Sequence, residues 1–488
     1  MKKTYAMVIL LLVLSVGSFG VIGSMVYERR DQVTITETVL EGDKTEAEGL
    51  TVVTRNQMGN HLFWDTTYQV GEEPLCETEY SFYQSKYEEV EDYVYQGMNM
   101  YEYLSYEPPS DWLVGLAEPK EEMSELQKEY KKLQAGLEKG ETGTKTLYLK
   151  DYYEYYPIRM NIDLPNTVWT NEVPGTEVGE QPYDPKYVMN KFTEFFKIPV
   201  LESDHVTIYV SKEGVSEDGH HVYTSHGTQD QSYFELETVS DYTEDICYFA
   251  INNRKELYGS VEGDTVFAGT EYVDTSLIPG GYGIYAFSYG RASGEYHTGI
   301  DADSLKMVFP LDEKMLVHHM MIRDDQSRMV LLVEEKRAAY IMVIDLETMK
   351  EVQRFMLDET LYRRISPYVE IMEFDDFFAV LFKGEIAVIS DENGVYTHEF
   401  TVEVEEKVPN GWYGIGRAMD YDGEKLVVLG NREGYWGNSY TCDFYLAVYN
   451  ESGLIYLGQY ENNLSKSSNS ISYYQCRPND VNTYTVKW

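Results

Sequence analysis

The chain has 488 residues and a formal net charge of −43 at pH 7, from 40 basic and 83 acidic side chains. This length can bury a large core, and by itself it allows two or three domains or one large β-architecture. Because nucleic-acid binding requires clustered Lys and Arg to neutralise phosphates, the acidic charge excludes nucleic acid as a partner. We expect the charge to serve solubility outside the cell.

The first 27 residues are predicted to be a membrane-directed segment. Lys2 and Lys3 open the chain, and no charged residue follows between Thr4 and Tyr27. An uncharged run of this length can span a bilayer, which needs about 20 apolar residues, so we predict a transmembrane helix that anchors the chain. A cleaved signal peptide is the alternative, since Ser18, Phe19 and Gly20 put small residues at the two positions that a peptidase reads.

Residues 28–49 are predicted to be a linker and residues 50–488 an ectodomain. The basic residues at the two ends of the apolar segment nearly balance, so they do not fix its orientation. Long domains are exported largely regardless of their charge, and the acidic remainder is therefore placed outside the cytoplasm. The expected location is membrane-anchored and extracytoplasmic, or secreted if the N-terminal segment is cleaved.

Four stretches in the first half of the ectodomain have the composition of β-strands. They are Leu50–Asn56, His61–Val70, Thr146–Ile162 and Val206–Val215.

Two helical insertions are predicted among these strands, near residues 118–140 and 184–198. In the first, one face carries apolar residues three and four positions apart, and Gly140 is expected to end the helix. These residues are Met123, Leu126, Tyr130, Leu133 and Leu137. In the second, Asp184 is the predicted cap and Pro185 the first helical residue, with Val188, Phe192 and Phe195 on one stripe. We expect both helices to pack against the strands, with docking of a partner as the alternative.

Three hairpins in the second half share one pattern. In each, an apolar strand ends at Asp345, Asp391 or Asn450, a short polar turn follows, and the next strand alternates in polarity. The three segments are Ala339–Phe355, Gly384–Phe400 and Phe444–Tyr460. Weaker copies are predicted around Asn252 and Asp301, which gives a repeat of about 50 residues built from strands.

A second signature precedes the three clear hairpins. Met321–Asp325, Met372–Asp376 and Met419–Gly423 each carry Met followed by Asp three residues later, and an apolar strand comes next. Asp and Gly at these positions favour a tight turn between antiparallel strands. Each repeat therefore contains four antiparallel strands, which is typical of a β-propeller blade.

Over residues 205–488 the repeat resembles that of β-propeller proteins of the WD40, quinoprotein and kelch-like kind. The resemblance implies an all-β fold, a seven- or eight-bladed β-propeller. The helical patterns and the apolar N-terminal segment add two short helical insertions and an N-terminal transmembrane helix to this expectation. No motif of a specific family is present, so no functional residue is carried over. Propellers commonly complete one blade with strands from both termini, and Asn482–Trp488 is therefore predicted to pair with a blade that begins near Leu50.

Two aromatic loops are the predicted binding site. The segment Asn410–Gly414 enters the last clear blade, and Glu433–Tyr440 joins the second and third strands of that blade. Both connections emerge at the same end of an up-and-down blade. Trp412, Tyr413, Tyr435 and Trp436 are therefore predicted to form an exposed platform for a sugar ring or a peptide. Packing of these side chains against neighbouring loops is the alternative.

Cysteines and histidines suggest no metal or cofactor. Cys442 and Cys476 are the preferred disulfide pair because both fall in the final strands, although the four cysteines allow three pairings or none. The three histidines His220, His221 and His226 lack the spacing of a zinc motif. No metal site and no cofactor are predicted.

The predicted function is that of a non-catalytic binding or scaffolding module for a surface protein or glycan. A polysaccharide-active enzyme, a glycoside hydrolase or lyase on a propeller scaffold, is the alternative. An enzyme would place a carboxylate pair in the central depression of one face, but with 83 acidic residues such a pair also arises by chance.

Overall fold

The structure of the chain is a computed structural model. It describes residues 2–29, 34–58, 62–71, 77–81, 97–102, 104, 124–163, 185–215, 221–261, 264–272, 278, 280–289, 300–359, 369–382, 384–392, 394–404, 418–431, 444–462 and 484–488. These residues belong to two compact units. Unit 1 comprises Met1–Val94 and Arg364–Trp488, and unit 2 comprises Tyr95–Arg363.

The helices and strands follow in chain order. Unit 1 begins with α1 (Lys2–Arg29), β1 (Ile35–Gly42), β2 (Thr51–Met58), β3 (Leu62–Gln69) and β4 (Glu77–Ser81). Unit 2 contains β5 (Gly97–Glu102), α2 (Glu125–Ala135), β6 (Thr142–Tyr148), β7 (Ile158–Asp163), α3 (Pro185–Phe196), β8 (His205–Val215), β9 (His221–Tyr242), β10 (Ile246–Val261), β11 (Asp264–Tyr272), β12 (Gly283–Ser288), β13 (Asp301–Pro310), β14 (Leu316–Ile322), β15 (Arg328–Glu335), β16 (Ala338–Asp345) and β17 (Lys350–Asp358). Unit 1 resumes with β18 (Glu370–Glu373), β19 (Phe377–Phe382), β20 (Glu385–Glu392), β21 (Val395–Glu403), β22 (Met419–Tyr421), β23 (Leu426–Asn431), β24 (Phe444–Asn450), β25 (Gly453–Asn462) and β26 (Tyr484–Lys487).

The N-terminal segment is helical, as α1 shows. Its large apolar side chains between Tyr5 and Val21 are exposed, with relative exposures from 54% to 68%. Within the described part of the chain, however, no helix is both long enough and apolar enough to cross a membrane. The predicted transmembrane helix is therefore not confirmed.

Among its described residues, unit 1 contains three antiparallel sheets of the predicted blade type. Their strand orders are β18-β19-β20-β21, β1-β25-β24-β23-β22 and β26-β2-β3-β4. The last sheet includes the C-terminal strand, because β26 pairs with β2 and Val486 lies opposite Val52. The predicted pairing of the C-terminal strand with a blade near Leu50 is confirmed.

The predicted hairpin corners are equivalent in structure. The side chain of Asp345 accepts a hydrogen bond from the backbone N–H of Thr348 at 2.8 Å, and that of Asp391 accepts from Gly394 at 2.8 Å. Asn450 accepts from the backbone N–H of Ser452 at 2.9 Å. In each case the acceptor at the end of the third strand fixes the turn, as short polar side chains commonly do.

The Met-x-x-Asp segments also form the predicted turns between the first two strands of a sheet. Asp325 accepts a hydrogen bond from the backbone N–H of Ser327 at 2.9 Å, between β14 and β15. Asp422 accepts from the N–H groups of Glu424 at 2.8 Å and Lys425 at 2.7 Å, between β22 and β23. The four-strand repeat is confirmed for β14–β17, β18–β21 and β22–β25. The number of blades, predicted as seven or eight, is not confirmed.

The predicted linker 28–49 contains a strand and a short 3-10 helix. Strand β1 adds to the outer edge of the last sheet, where Thr36 lies opposite Glu461 of β25. The 3-10 helix Lys44–Ala47 follows, and Ala47 is buried. The segment looked like a linker because most β1 side chains face solvent, so the strand shows no alternating apolar face.

In the part of unit 2 that the structure describes, there are one four-stranded sheet, one seven-stranded sheet and the pair β5-β7. The four-stranded sheet has the order β14-β15-β16-β17. The seven-stranded sheet has the order β13-β12-β10-β9-β8-β6, and β11 also pairs with β10.

The predictions of two further hairpins, around Asn252 and Asp301, were wrong. Asn252 lies inside the continuous strand β10 and is 2% exposed. Its side-chain Nδ2 donates to the carbonyl of Val317 at 3.0 Å, and its Oδ1 accepts from the Val317 N–H at 3.0 Å. Asp301 is the first residue of β13 and does not lie in a hairpin turn. Asn and Asp favour turns, but a buried pairing with a neighbouring strand overrides that local preference.

The predicted strand Thr146–Ile162 is interrupted. Strand β6 ends at Tyr148, a 3-10 helix covers Leu149–Asp151, and β7 begins at Ile158. Tyr156 is fully buried here and Tyr155 is 36% exposed. The tyrosines of this segment therefore do not alternate along one sheet surface.

Both helical insertions are present, and both are shorter than predicted. Helix α2 is capped by Ser124, which accepts a hydrogen bond from the N–H of Gln127 at 3.2 Å, and it ends before Gly136 rather than at Gly140. Leu126 and Tyr130 on its predicted face are fully buried. Helix α3 buries Phe192 and Phe196 in the core of unit 2. Met123, Asp184 and the side chain of Val188 lie outside the described residues.

Candidate binding groove

The residues predicted to form the binding site lie outside the described part of the chain. This holds for Trp412, Tyr413, Tyr435 and Trp436, and for the disulfide candidates Cys442 and Cys476. The binding platform and the disulfide therefore remain predictions. The described cysteine, Cys247, is a buried free thiol in β10.

The structure shows an open groove in unit 1, with a volume of about 670 Å³. One side is formed by Glu399 and Phe400 of β21. The other side is formed by the turn between β22 and β23 and by the turn between β24 and β25. The groove thus lies between two neighbouring blade-type sheets of the same unit.

Aromatic rings form one wall of the groove. The ring of Tyr421 lies 6.0 Å from that of Phe400 and 5.7 Å from that of Phe377. Phe377 in turn stacks on Phe374 with ring centroids 4.5 Å apart. Since Phe377 and Phe400 are buried, the cluster holds the partly exposed ring of Tyr421 in one place.

The hydroxyl of Tyr421 is kept protonated. It donates a hydrogen bond to the carbonyl of Gly423 at 2.8 Å. Burial, and then the nearby carboxylates of Glu399, Asp422 and Glu424, raise the pKa of Tyr421 to about 12. At neutral pH this side chain therefore presents a neutral ring edge to a ligand.

Hydrogen bonds to short polar side chains fix the conformation of the two turns that line the groove. Asp422 accepts hydrogen bonds from two backbone N–H groups of its own turn. Asn450 accepts from both the N–H and the hydroxyl of Ser452, the latter at 2.6 Å. Gly423 has φ +101° and Gly453 has φ +110°, values that favour glycine.

The rim of the groove is acidic. It carries the exposed carboxylates Glu399, Glu424 and Glu451. The lysine in the lining, Lys425, pairs with Glu46 at 2.8 Å, and its Nζ lies 5.7 Å from the centroid of the Trp488 ring. Because the charge of Lys425 is already balanced by Glu46, the three carboxylates dominate the charge of the groove. The groove therefore favours a cationic or hydroxyl-rich ligand.

The groove lies at the turns between β22 and β23 and between β24 and β25. The segments that carry the predicted aromatic residues connect to the opposite ends of β22, β23 and β24, and they lie outside the described residues. The short polar residues of the two tight turns predict turn formation rather than a binding site. Tyr421 within "MDYDG" was the signal that would have found the groove.

His318 and His319 are adjacent residues of β14. His318 Nε2 lies 3.1 Å from the Glu334 carboxylate. Burial lowers the pKa of His319 to about 4, so it is neutral at physiological pH. His220 and the side chains of His221 and His226 lie outside the described residues. Among the residues that are described, no group of three His, Cys, Asp or Glu side chains could hold a metal ion.

No family model matches this chain, and no curated protein does. Solved structures that resemble it include β-propeller proteins. A proposed 6-phosphogluconolactonase from Bacteroides uniformis is 10% identical over 54% of this chain and 78% of its own, with a TM-score of 0.23. One from Bacteroides fragilis is 8% identical over 86% and 83%, with a TM-score of 0.22. The β-propeller domain of the Trilobed protease from Pyrococcus furiosus is 12% identical over 51% and 67%, with a TM-score of 0.17. Likeness at this level gives no support for a particular function.

A buried carboxylate outside the groove gives a pH-dependent prediction. In unit 2, Asp241 accepts hydrogen bonds from the backbone N–H groups of Ile322 at 2.6 Å and Tyr242 at 2.8 Å. Burial nevertheless raises its pKa from 3.8 to about 6. The folded state therefore binds this proton more tightly than the unfolded state, and stability is lost as pH rises from about 4 through 6.

We predict that the Asp241→Asn variant removes this loss. Between pH 4 and pH 7, the free energy of unfolding of the variant should rise relative to wild type by about 2 kcal/mol, allowing for partial exposure of the side chain. Urea unfolding at several pH values measures this difference in the free energy of unfolding. The control is the variant Asp151→Asn, which changes an exposed carboxylate. A difference between variant and wild type that stays constant over this pH range would contradict the assignment.

Proposed function

We propose that the chain is a non-catalytic binding or scaffolding module that is held at a membrane by α1 and binds a surface protein or glycan in the groove of unit 1. The observation that carries the proposal is the combination of an aromatic wall with three exposed carboxylates, Glu399 on β21 and Glu424 and Glu451 on the two turns. Rings provide flat contact area, and carboxylates accept hydrogen bonds from sugar hydroxyls or from Lys and Arg.

The charge of the chain supports the choice of partner. A net charge of −43 repels anionic polymers over the whole surface, so the ligand is a neutral glycan or a cationic protein segment. With a cationic segment, association should be faster at low ionic strength. The salt dependence of the association rate therefore distinguishes a cationic protein segment from a neutral glycan.

Membrane attachment is supported by the exposed apolar side chains of α1, which water disfavours. Only residues 30–34 separate α1 from β1, and five residues reach at most about 18 Å. The start of β1 pairs with the end of β25, at the sheet end away from the groove. An anchor on α1 would thus leave the groove turned toward partners in solution.

The first test neutralises the rim of the groove. We predict that the triple variant Glu399→Gln, Glu424→Gln and Glu451→Gln lowers affinity for an oligolysine peptide or for a glycan-array hit by about tenfold or more at low salt. Because all three side chains are exposed, the melting temperature should stay within a few degrees of wild type. Surface plasmon resonance with the full chain in detergent measures the binding.

The matched control has the same change in net charge away from the groove. Glu138→Gln, Glu347→Gln and Glu359→Gln are exposed positions in unit 2, and this variant should bind as wild type does. An equal loss of affinity in both triple variants would show that the effect comes from the net charge of the protein and not from the groove. Absence of binding by wild type to both probe classes would contradict the proposed function.

The second test concerns α1. We predict that the full chain stays in the membrane pellet after alkaline carbonate extraction, whereas a chain without residues 2–29 is released, because the apolar side chains of α1 are then missing. Immunoblotting of pellet and supernatant measures the partition. Release of the full chain by carbonate would contradict membrane anchoring and leave the groove proposal intact.

A further inference from the structure

A buried Lys–Asp pair lies in the core of unit 2. Lys255 is in the middle of β10, and Asp204 immediately precedes β8. Lys255 is 4% exposed and Asp204 is 1% exposed. The Nζ of Lys255 donates hydrogen bonds to the Asp204 carboxylate at Oδ1 and to the Ser203 hydroxyl, the latter at 3.2 Å. The amine nitrogen and the carboxyl carbon are therefore held next to each other.

The second carboxylate oxygen has its own donors. The hydroxyl of Tyr156 donates to Asp204 Oδ2 at 2.7 Å, and the backbone N–H of Leu201 donates to the same atom at 2.9 Å. The Tyr156 oxygen accepts the N–H of Phe234 at 3.0 Å, so the hydroxyl is fixed in direction. Two donors on one oxygen form the arrangement that stabilises negative charge developing on that oxygen.

The surroundings favour a neutral product over the ion pair. Phe234 and Tyr156 border the pair, with ring centroids 6.0 Å apart, and both are buried. Removing an ammonium and a carboxylate from water is costly even when they are paired. An amide in the same place carries no charge, and the fixed proximity of the two groups replaces the need for an activated acid.

We propose that Lys255 and Asp204 form an intramolecular amide bond in the folded protein. A proton passes from the Nζ ammonium to Oδ1, which leaves a neutral amine and a neutral acid. The Nζ lone pair then forms a bond to Cγ, and the C=O electron pair moves onto Oδ2, between the Tyr156 hydroxyl and the Leu201 N–H. A second Nζ proton is transferred to the Oδ1 hydroxyl, the Cγ–Oδ1 bond breaks, and one water molecule leaves as the C=O bond re-forms.

The resulting cross-link would join two strands that are not neighbours. Strand β9 lies between β8 and β10 in the sheet, so the amide would bridge across β9 and close the chain between residues 204 and 255. Such a bridge limits the unfolded state in the same way as a disulfide. It would make unit 2 resistant to mechanical and thermal unfolding without an oxidant.

Peptide mapping by tandem mass spectrometry of the full chain tests the proposal. We expect one branched peptide that contains both Lys255 and Asp204 and is lighter than the two linear peptides together by the mass of one water molecule. Trypsin should not cut after Lys255. The exposed pair Lys191 and Asp303, with Nζ 2.8 Å from Oδ1, is the control and should give linear peptides only.

The Tyr156→Phe variant tests whether the Tyr156 hydroxyl promotes formation of the cross-link, because it removes the hydroxyl and keeps the buried ring. Loss of one donor to Oδ2 should slow cross-linking by about 100-fold while circular dichroism stays unchanged. Lys255→Met should abolish the branched peptide. If wild-type protein gives linear peptides with unmodified Lys255 and Asp204, the pair is an ordinary ion pair and the inference is overturned, whatever the variants do. Groove binding is not affected by that result.

Discussion

The described blade-type sheets depend on hydrogen bonds made by short polar side chains at the ends of strands. Asp345, Asp391 and Asn450 each accept a hydrogen bond from a backbone N–H of the turn after the third strand of a sheet. Asp325 and Asp422 accept such a bond in the turn between the first and second strands. These acceptors set where each strand ends and thus which side chains face the core. The apolar strands between them, such as β15 and β24, are almost completely buried.

The sequence predicted the parts of the fold in which local pattern and tertiary environment agree. The hairpins of residues 339–355, 384–400 and 444–460 combine an apolar strand with a turn acceptor, and all three form. The pairing of β26 with β2 followed from the need to cover an open edge. The helix patterns around Leu126 and Phe192 were also correct, because a spacing of three and four positions specifies one buried face.

Prediction failed where tertiary contacts override local preference. Asn252 has the composition of a turn but pairs with the backbone of Val317 inside a strand. Strand β1 has mostly exposed side chains and is held by its pairing with β25, which no local pattern reveals. The groove was missed for a related reason. Its wall combines Phe400 of β21 and Tyr421 of β22, so the site exists only after the two sheets have formed.

The two units use their polar groups differently. In unit 1, carboxylates lie on the rim of an open groove, where they remain available to a ligand. In unit 2, Asp204, Lys255 and Asn252 are buried and fully engaged by neighbouring groups. Among the described residues, the buried polar groups Asp204, Lys255 and Asn252 thus hold neighbouring strands together through hydrogen bonds.

The pairing of the C-terminal strand β26 with β2 is the central structural claim, and a register-specific cross-link tests it most directly. Val53 and Thr485 lie opposite each other in β2 and β26, whereas Lys487 lies opposite Thr51. With Cys76, Cys442 and Cys476 replaced by Ser, Val53→Cys with Thr485→Cys should form a disulfide rapidly, and Val53→Cys with Lys487→Cys should form it slowly. Equal rates for the two pairs, or no disulfide in either, would contradict the account.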